Sequence, residues 1–486
     1  MKRVDESTPD VGGQPEDSGH ATARLSLDGL SAMVEAGEVD TVLCAMPDLW
    51  GRLVGKRVPG RNFLERILGS EGLHASLYLF VVDLEMNPLP GFDLTNWETG
   101  FHDCRMAPDV STLRLIPWLE RTALVLCDAV HEKTGQPIEV SPRQILKRQV
   151  ERAKDAGYTF KCGSELEVFF FRESYDEAFD ARYSGLHPLS HYRADYHMLQ
   201  TTKDEWLIRQ IRNGMDGAGV PVEFSKGEWG WGQHEINLIY ADALEMADRH
   251  AIYKNGVKEI AALNGVSATF MAKWKTEEVG SSFHIHSSVW DEDGSQSLMW
   301  DGARQDHMSD IFRHYLGGLM TTARQLSLLM APVVNSYRRY ESESFAPTAI
   351  AWGDDNRTCG FRVVGEHDSF RVENRVPGAD GNPYLAFAAT IAGGLHGLQE
   401  KIEPPEMVHG NAYKDEIADH VPSSLEEAVQ EFELSDLAKT AFGGRVFPHL
   451  LQLAQHEQRA FGTASGAPVP TGPVGEWELF RYFERI

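Results

Sequence analysis

Gly163-Ser-Glu165-Leu-Glu167-Val-Phe-Phe-Phe171 is the stretch on which the fold turns. Its apolar and aromatic residues predict a strand over residues 160–171. Side chains alternate across a strand, so Glu165 and Glu167 project from the same face. Two acids side by side repel each other unless something cationic joins them. Alone, the pair would read as a solvated strand face, but it does not stand alone.

Downstream, Glu223-Phe-Ser-Lys-Gly-Glu228-Trp229-Gly-Trp231-Gly-Gln233-His-Glu235 places three more acids among glycines that let backbone approach a ligand closely. Gly280-Ser-Ser-Phe-His284-Ile-His286-Ser-Ser288 alternates again, with two histidines on one face. A single buried histidine is most often a packed core residue, whereas a pair at this spacing is a candidate for ligation. Phe370-Arg371-Val-Glu373-Asn-Arg375-Val-Pro377 sets Glu373 between arginines, with Asn382-Pro-Tyr-Leu385 close behind. In isolation that segment is an ion-paired strand. Together the four segments offer carboxylates and a histidine, a hard donor set that suits magnesium or manganese rather than structural zinc. Carboxylates with arginines nearby are what phosphoryl transfer requires: metals bridge the phosphates, and guanidinium groups absorb the developing charge.

Around this centre the 486 residues, 42% of them hydrophobic, suffice for one small and one large domain. The chain predicts a helix over residues 27–36, strands over 41–45, 52–58, 76–83, 111–116 and 124–127, and a break near 132–142. Pro142 then opens a helix at the position where its missing N–H is harmless. Longer helices are expected over 203–218 and 241–263, with strands and helices alternating to the end. The resulting division is a disordered tail over residues 1–23, an N-terminal domain over 24–137 and a large domain over 138–486. No fixed-period repeat or low-complexity tract is visible.

The net charge of -26 repels phosphate backbones and anionic membranes, so neither nucleic acid nor membrane is an expected partner. No apolar run approaches the roughly 18 residues of a membrane span, and no signal peptide is read at the N-terminus. Five scattered cysteines without ligand spacing suit a reduced cytoplasm.

The order and wording of these motifs resemble the glutamine synthetase superfamily of the bacterial dodecameric type, from about residue 38 onward. The resemblance rests on the E-x-E strand, the E-x-G-x-G-Q-x-E loop, H-x-H-x-S, Asn335-Ser-Tyr-Arg-Arg339, Asn356-Arg357, and R-V-E-N-R-V-P ahead of N-P-Y-L. It implies an α+β fold: a small N-terminal β-grasp domain, then a large catalytic domain with an open, barrel-like antiparallel sheet flanked by helices. It further implies a homo-oligomer, a dodecamer of two hexameric rings with active sites between subunits. Carried over residue by residue, Glu167, Glu228 and Glu235 would hold one Mg2+ or Mn2+ and Glu165, His284 and Glu373 another, two or three ions in all. Gly280, Arg339 and Arg375 would bind glutamate, and Arg339 would also act in catalysis. Arg357 and Arg362 would stabilise the transferring phosphoryl group and ATP. Glu223, Tyr240, His286 and Ser288 would contact the nucleotide. The implied chemistry is ATP-dependent phosphorylation of the glutamate side chain, followed by attack of an amine.

The sequence also departs from the ammonium-using members. Phe345 stands before Ala346-Pro347, where they carry a flap glutamate, and a phenyl ring removes the attraction for a small cation. Glu341 and Glu343 are offset from that position. The ammonium-binding D-G-S-S segment is not recognisable, with Asp83 the nearest candidate. Val279-Gly-Ser-Ser replaces Asn-Gly-Ser-Gly, and the neighbours of Tyr413 differ from those of the tyrosine adenylylated in some members. These losses resemble the γ-glutamylamide-forming relatives that use organic amines: polyamines, ethanolamine, alkylamines or aniline-type amines. Phe345, Tyr196, Trp229, Trp231 and Asp83 point to an aromatic, weakly charged acceptor pocket and favour a monoamine. The alternatives are an ammonium-using glutamine synthetase, a non-catalytic structural or sensory relative, and a guanidino kinase of related form.

Overall fold

Leu27–Ala36 is helical because its ends are capped: the Ser26 side chain accepts from the Gly29 N–H, and Gly37, at φ 75°, turns the chain out of the helix. The computed structural model describes residues 24–69, 72–414, 418–467 and 469–486. The expected disordered tail, residues 1–23, lies outside them. The helix buries Leu30 and Val34 beside a six-stranded sheet. Its strands are β1 (Thr41–Pro47), β2 (Leu53–Pro59), β3 (Leu73–Ser76), β4 (Asp103–Pro108), β5 (Arg114–Leu115) and β6 (Thr122–His131). They are ordered β2-β1-β6-β4-β3, with β5 also on β6. Only the β1–β6 pair is parallel.

Two expected strands are largely not formed: of residues 76–83 only Ser76 belongs to a strand, and of 111–116 only Arg114 and Leu115 do. After β3 the chain enters a 3-10 turn, Leu77–Phe80, because Ser76 accepts from the Tyr78 N–H and ends the extended run. Asp109 does the same for Val110–Thr112, leaving two residues for β5.

The second sheet carries the site. Its strands are β7 (Thr159–Phe171), β8 (Val222–Gly227), β9 (Gln233–Leu238), β10 (Ala241–Asp242), β11 (Ser267–Thr269), β12 (Phe283–Trp290), β13 (Trp352–Asp354), β14 (Phe361–Val364) and β15 (Arg371–Asn374). The order is β13-β14-β15-β12-β7-β9-β8, with β10 and β11 also pairing with β7. All pairs are antiparallel except β13–β14, giving a nearly closed, barrel-like sheet.

Helices Asp310–Leu326 and Pro383–Glu400 pack against each other. Glycine makes their close approach possible: a Cβ on Gly397 would lie 2.2 Å from the His314 carbonyl oxygen. The two sheets are joined by buried polar groups. Arg143, on helix Pro142–Asp155, reaches Asp109 and Asp128 of the N-terminal region at 2.8 Å each and Asp248 of helix Ala243–Leu263 at 2.9 Å. Asn382 Nδ2 donates to the carbonyls of Asp48 and Leu49, tying the turn after β1 to the start of helix Pro383–Glu400. Among the described residues, no helix is long and apolar enough to cross a membrane.

Candidate active site

Strand register assembles the site. On β7, Glu167 lies opposite Glu235 of β9, which lies opposite Lys226 of β8. Glu165 lies opposite His284 of β12. His286, two residues on, faces Glu373 of β15, which faces Arg362 of β14. Residues distant in sequence thus share one face because neighbouring strands present paired positions to the same side. Glu228 joins from the turn after β8. The ligand atoms of Glu167, Glu228 and Glu235 all lie within 4.8 Å of one another, as do those of Glu165, His284 and Glu373. These are the two triads expected from the sequence.

All residues of the two triads except the fully buried Glu373 line a cleft of about 850 Å³. Gln233 organises the first. Its Oε1 accepts from the Gly230 N–H, and its Nε2 reaches Glu167 Oε2 at 3.2 Å, the Gly280 carbonyl at 2.9 Å and Ser281 Oγ at 3.2 Å. The Ser282 N–H donates to the same Glu167 oxygen at 2.7 Å. One buried amide therefore joins the tryptophan–glycine turn, β7 and the loop before β12.

The triads differ electrically. Burial, and then the charge of Glu228, push the Glu167 carboxyl up to about 7. Burial and the neighbouring Glu165, Glu228 and Glu167 push Glu235 up to about 11, against the opposing charge of Lys226. In the second triad burial would also raise the acids, but other groups outweigh it. Hydrogen bonds from His284 and His286 hold Glu165 well below the usual carboxylate range. Arg375, with the two histidines, holds Glu373 at about 2. His284 is pushed down to about 4 by burial and Arg375, so its ring is neutral. Its Nδ1 lies 2.7 Å from Glu165 and 3.4 Å from Glu373, while its buried Nε2 has no hydrogen-bond partner among the described residues.

This donor set fits divalent cations. Mutually repelling carboxyls, a neutral imidazole and a buried ring nitrogen without a partner form the hard, oxygen-rich environment that Mg2+ or Mn2+ takes.

The remaining expected residues are placed as follows. Arg339 is buried, donating to the carbonyls of Arg375 and Val376 at 3.0 Å each. Arg375 pairs with Glu373 and also reaches the Phe345 carbonyl at 3.4 Å. Gly280 is required as glycine, since a Cβ there would lie 2.6 Å from Arg339 Cγ. Arg362 bridges Glu373 at 2.7 Å and Asp355. Arg357, Glu223, Tyr240 and Ser288 line the cleft. His286 also lines it, held between Arg371, which donates to Nδ1 at 3.0 Å, and Glu165, 3.3 Å from Nε2. That arrangement fixes its tautomer and makes it a support for Glu165.

Phe345, Trp229 and Tyr196 line one part of the cleft wall, whereas Trp231 is exposed and not part of it. Asp83 does not line the cleft of its own chain. It accepts from the N–H groups of Glu85 and Asn87 and lies 3.7 Å from Arg481. Gln233, Arg371, Lys226 and Asp195 also line the cleft and were given no role from the sequence. The alternation of β8 with β9 is the signal that could have found Lys226. The five cysteines are all buried.

Comparison with known proteins agrees with this architecture. The glutamine synthetase catalytic domain matches residues 139–468. A γ-glutamylethanolamide synthetase of Streptomyces coelicolor is 48% identical over 467 residues, 96% of this chain and 97% of the relative. A glutamate–isopropylamine ligase of a Pseudomonas species is 36% identical, covering 93% and 97%. A solved GmaS–ADP complex superposes with a TM-score of 0.77 at 26% identity, over 93% of this chain and 98% of that one. With its catalytic domain matched through the whole barrel-like sheet, this chain belongs to the glutamine synthetase family, whose enzymes use ATP and divalent metals.

Proposed function

We infer that the chain is an ATP-dependent glutamate–amine ligase whose acceptor is a small primary monoamine. Phe345 carries this reading: it places a phenyl ring in the cleft wall while its carbonyl touches Arg375. An apolar wall beside the expected glutamate site disfavours a bare ammonium ion and accommodates a carbon substituent. The similarity to an ethanolamide synthetase and an isopropylamine ligase supports acceptors of that size.

Arg339 and Arg375, with Gly280 at close approach, would orient glutamate. One γ-carboxylate oxygen attacks the γ-phosphorus of ATP, the bond from that phosphorus to the bridging oxygen breaks, and ADP leaves. Arg357 and Arg362 would stabilise the charge on the phosphoryl oxygens. The amine then attacks the carbonyl carbon of the γ-glutamyl phosphate, loses a proton, and expels phosphate. Divalent ions held by the two triads would neutralise phosphate charge and polarise the transferring group. Glu223, Tyr240, His286 and Ser288 would line the nucleotide end.

We also infer that the six-stranded sheet is a β-grasp domain over residues 24–137 and that residues 138–486 form the catalytic domain. The assembly would be a dodecamer of two hexameric rings in the cytoplasm, loaded with two or three ions per site. Exposed Met198 and Leu199, two and three residues beyond the cleft-lining Tyr196, support contacts between subunits. Mass photometry tests the ring number.

The functional test is phosphate release with ATP, Mg2+ and glutamate against ethanolamine, isopropylamine, aniline, putrescine and ammonium. A small monoamine should give the highest kcat/KM. Ammonium as the best acceptor would favour the ammonium-using alternative, for which Glu343 in the cleft wall is the supporting observation.

A further inference from the structure

The acceptor end of the cleft is aromatic, and aromatic faces attract cations. Here two of those faces are already covered by the protein. The Arg193 guanidinium lies 4.4 Å from the centre of the Trp229 ring, and Lys226 Nζ lies 4.7 Å from that of Tyr196. The nearby acids are engaged as well. Lys226 contacts Glu228, Asp195 at 3.3 Å and Glu235 at 3.7 Å. Strand register keeps Lys226 there, because it stands opposite Glu235 across β8 and β9. When cations occupy Glu228 and Glu235, Asp195 and the Tyr196 ring remain as its partners. Of the acids outside the triads that line the cleft, Asp195 is paired with Lys226, whereas Glu223, Glu343 and Asp368 have no ion pair among the described residues, and Glu343 is the one two residues from Phe345.

We propose that Lys226 and Arg193 form a cationic filter that admits amines with one positive charge and rejects diamines and polyamines. The proposal rests on the amine-ligase reading above and names what sets its acceptor class. An incoming monoamine finds the unpaired carboxylate of Glu343 for its single ammonium. A second ammonium on the same molecule finds Asp195 already neutralised and the Trp229 and Tyr196 faces taken, and it meets two cations of like sign.

Butylamine and putrescine isolate this effect, since they share a four-carbon chain and differ by the second amino group. In the intact enzyme, with ATP, Mg2+ and glutamate, kcat/KM should favour butylamine by at least about tenfold. Lys226→Met should shrink that ratio by about tenfold or more, because Asp195 is then free to hold the distal ammonium. Adding Asp195→Asn to Lys226→Met should restore the original ratio. Arg193→Met, which touches no triad residue, should shift the ratio in the same direction and decides the matter if Lys226→Met is inactive. A wild-type ratio near one, or ratios unchanged in the variants, overturns the filter. A wild type that prefers ammonium to every amine overturns the acceptor reading on which the filter rests, whereas amine use with an unchanged ratio rejects the filter alone.

Discussion

The two triads are built from similar groups and solve the problem of buried charge in opposite ways. Glu165 and Glu373 are compensated from within the protein, by His284, His286, Arg362 and Arg375. Glu167, Glu228 and Glu235 have mainly Lys226, and two of the three respond by holding protons. One triad is therefore stable as it stands, and the other depends on a cation supplied from outside.

Removing one acid from each triad tests this most severely. Glu167→Ala should reduce turnover by about a thousandfold or more, since a ligand of a reaction-bearing ion is lost. Its metal-free stability should hold or rise, because a buried repulsion is relieved. Glu373→Ala should also abolish turnover, but it strands the buried Arg375 and leaves Arg362 only Asp355, at a cost of about 3–5 kcal/mol. Urea unfolding of the two metal-free variants separates these outcomes. Equal destabilisation would mean that the triads do not differ as described.

Gln233 sharpens the comparison on the less compensated side. It donates to Glu167 and fixes which carboxylate oxygen faces the cleft. Gln233→Glu replaces that donor with a repelling oxygen and should weaken Mn2+ binding by about 10–100-fold. Mn2+ titration followed by electron paramagnetic resonance measures this without turnover. Unchanged affinity would reduce Gln233 to a packing residue.

A smaller effect appears in the pH dependence of stability, with a different sign for each triad. Glu167 is raised to about 7 when folded, against 4.5 for the ordinary side chain, so between those values the folded chain holds a proton that the unfolded chain has lost. Metal-free stability should then fall as pH rises through that window, by up to about 1.4 kcal/mol per pH unit. Glu235 extends the decline toward about 11. Glu373 works the other way: its contribution is present above 4.5 and is lost as pH falls toward about 2. Melting temperatures of the metal-free protein should decline from pH 6 to 9, and saturating Mg2+ should remove most of the decline by replacing the protons. A flat metal-free profile would contradict the raised carboxyls.

Much of this site was legible in the sequence, and the illegible part has a definite physical source. The two-residue spacing of Glu165 and Glu167 fixed their common face, and the helix expected over residues 27–36 has those bounds in the structure. Composition overstated the strands at residues 76–83 and 111–116, where local caps at Ser76 and Asp109 win over β propensity. What a single sequence cannot supply is register between strands far apart in the chain. Lys226 read as one polar residue of a glycine-rich segment, and its place opposite Glu235 follows only from the pairing of β8 with β9. Gln233 and Arg371 were given no role for the same reason, since each acquires meaning from a partner on another segment.

The smallest expected effect concerns the cleft wall opposite the triads. Phe345 is 59% exposed and has φ 57°, a left-handed conformation that neither phenylalanine nor glutamate favours. Phe345→Glu should therefore cost little stability. Its main-chain contact with Arg375 is independent of the side chain and should persist. The new carboxylate can attract ammonium, but Arg375 is close enough to compete for it, so the gain is limited. The ratio of kcat/KM for ammonium to that for the preferred amine should rise by roughly two- to tenfold. An unchanged ratio would show that Phe345 does not choose the acceptor, and selection would then rest with Lys226, Arg193 and Glu343.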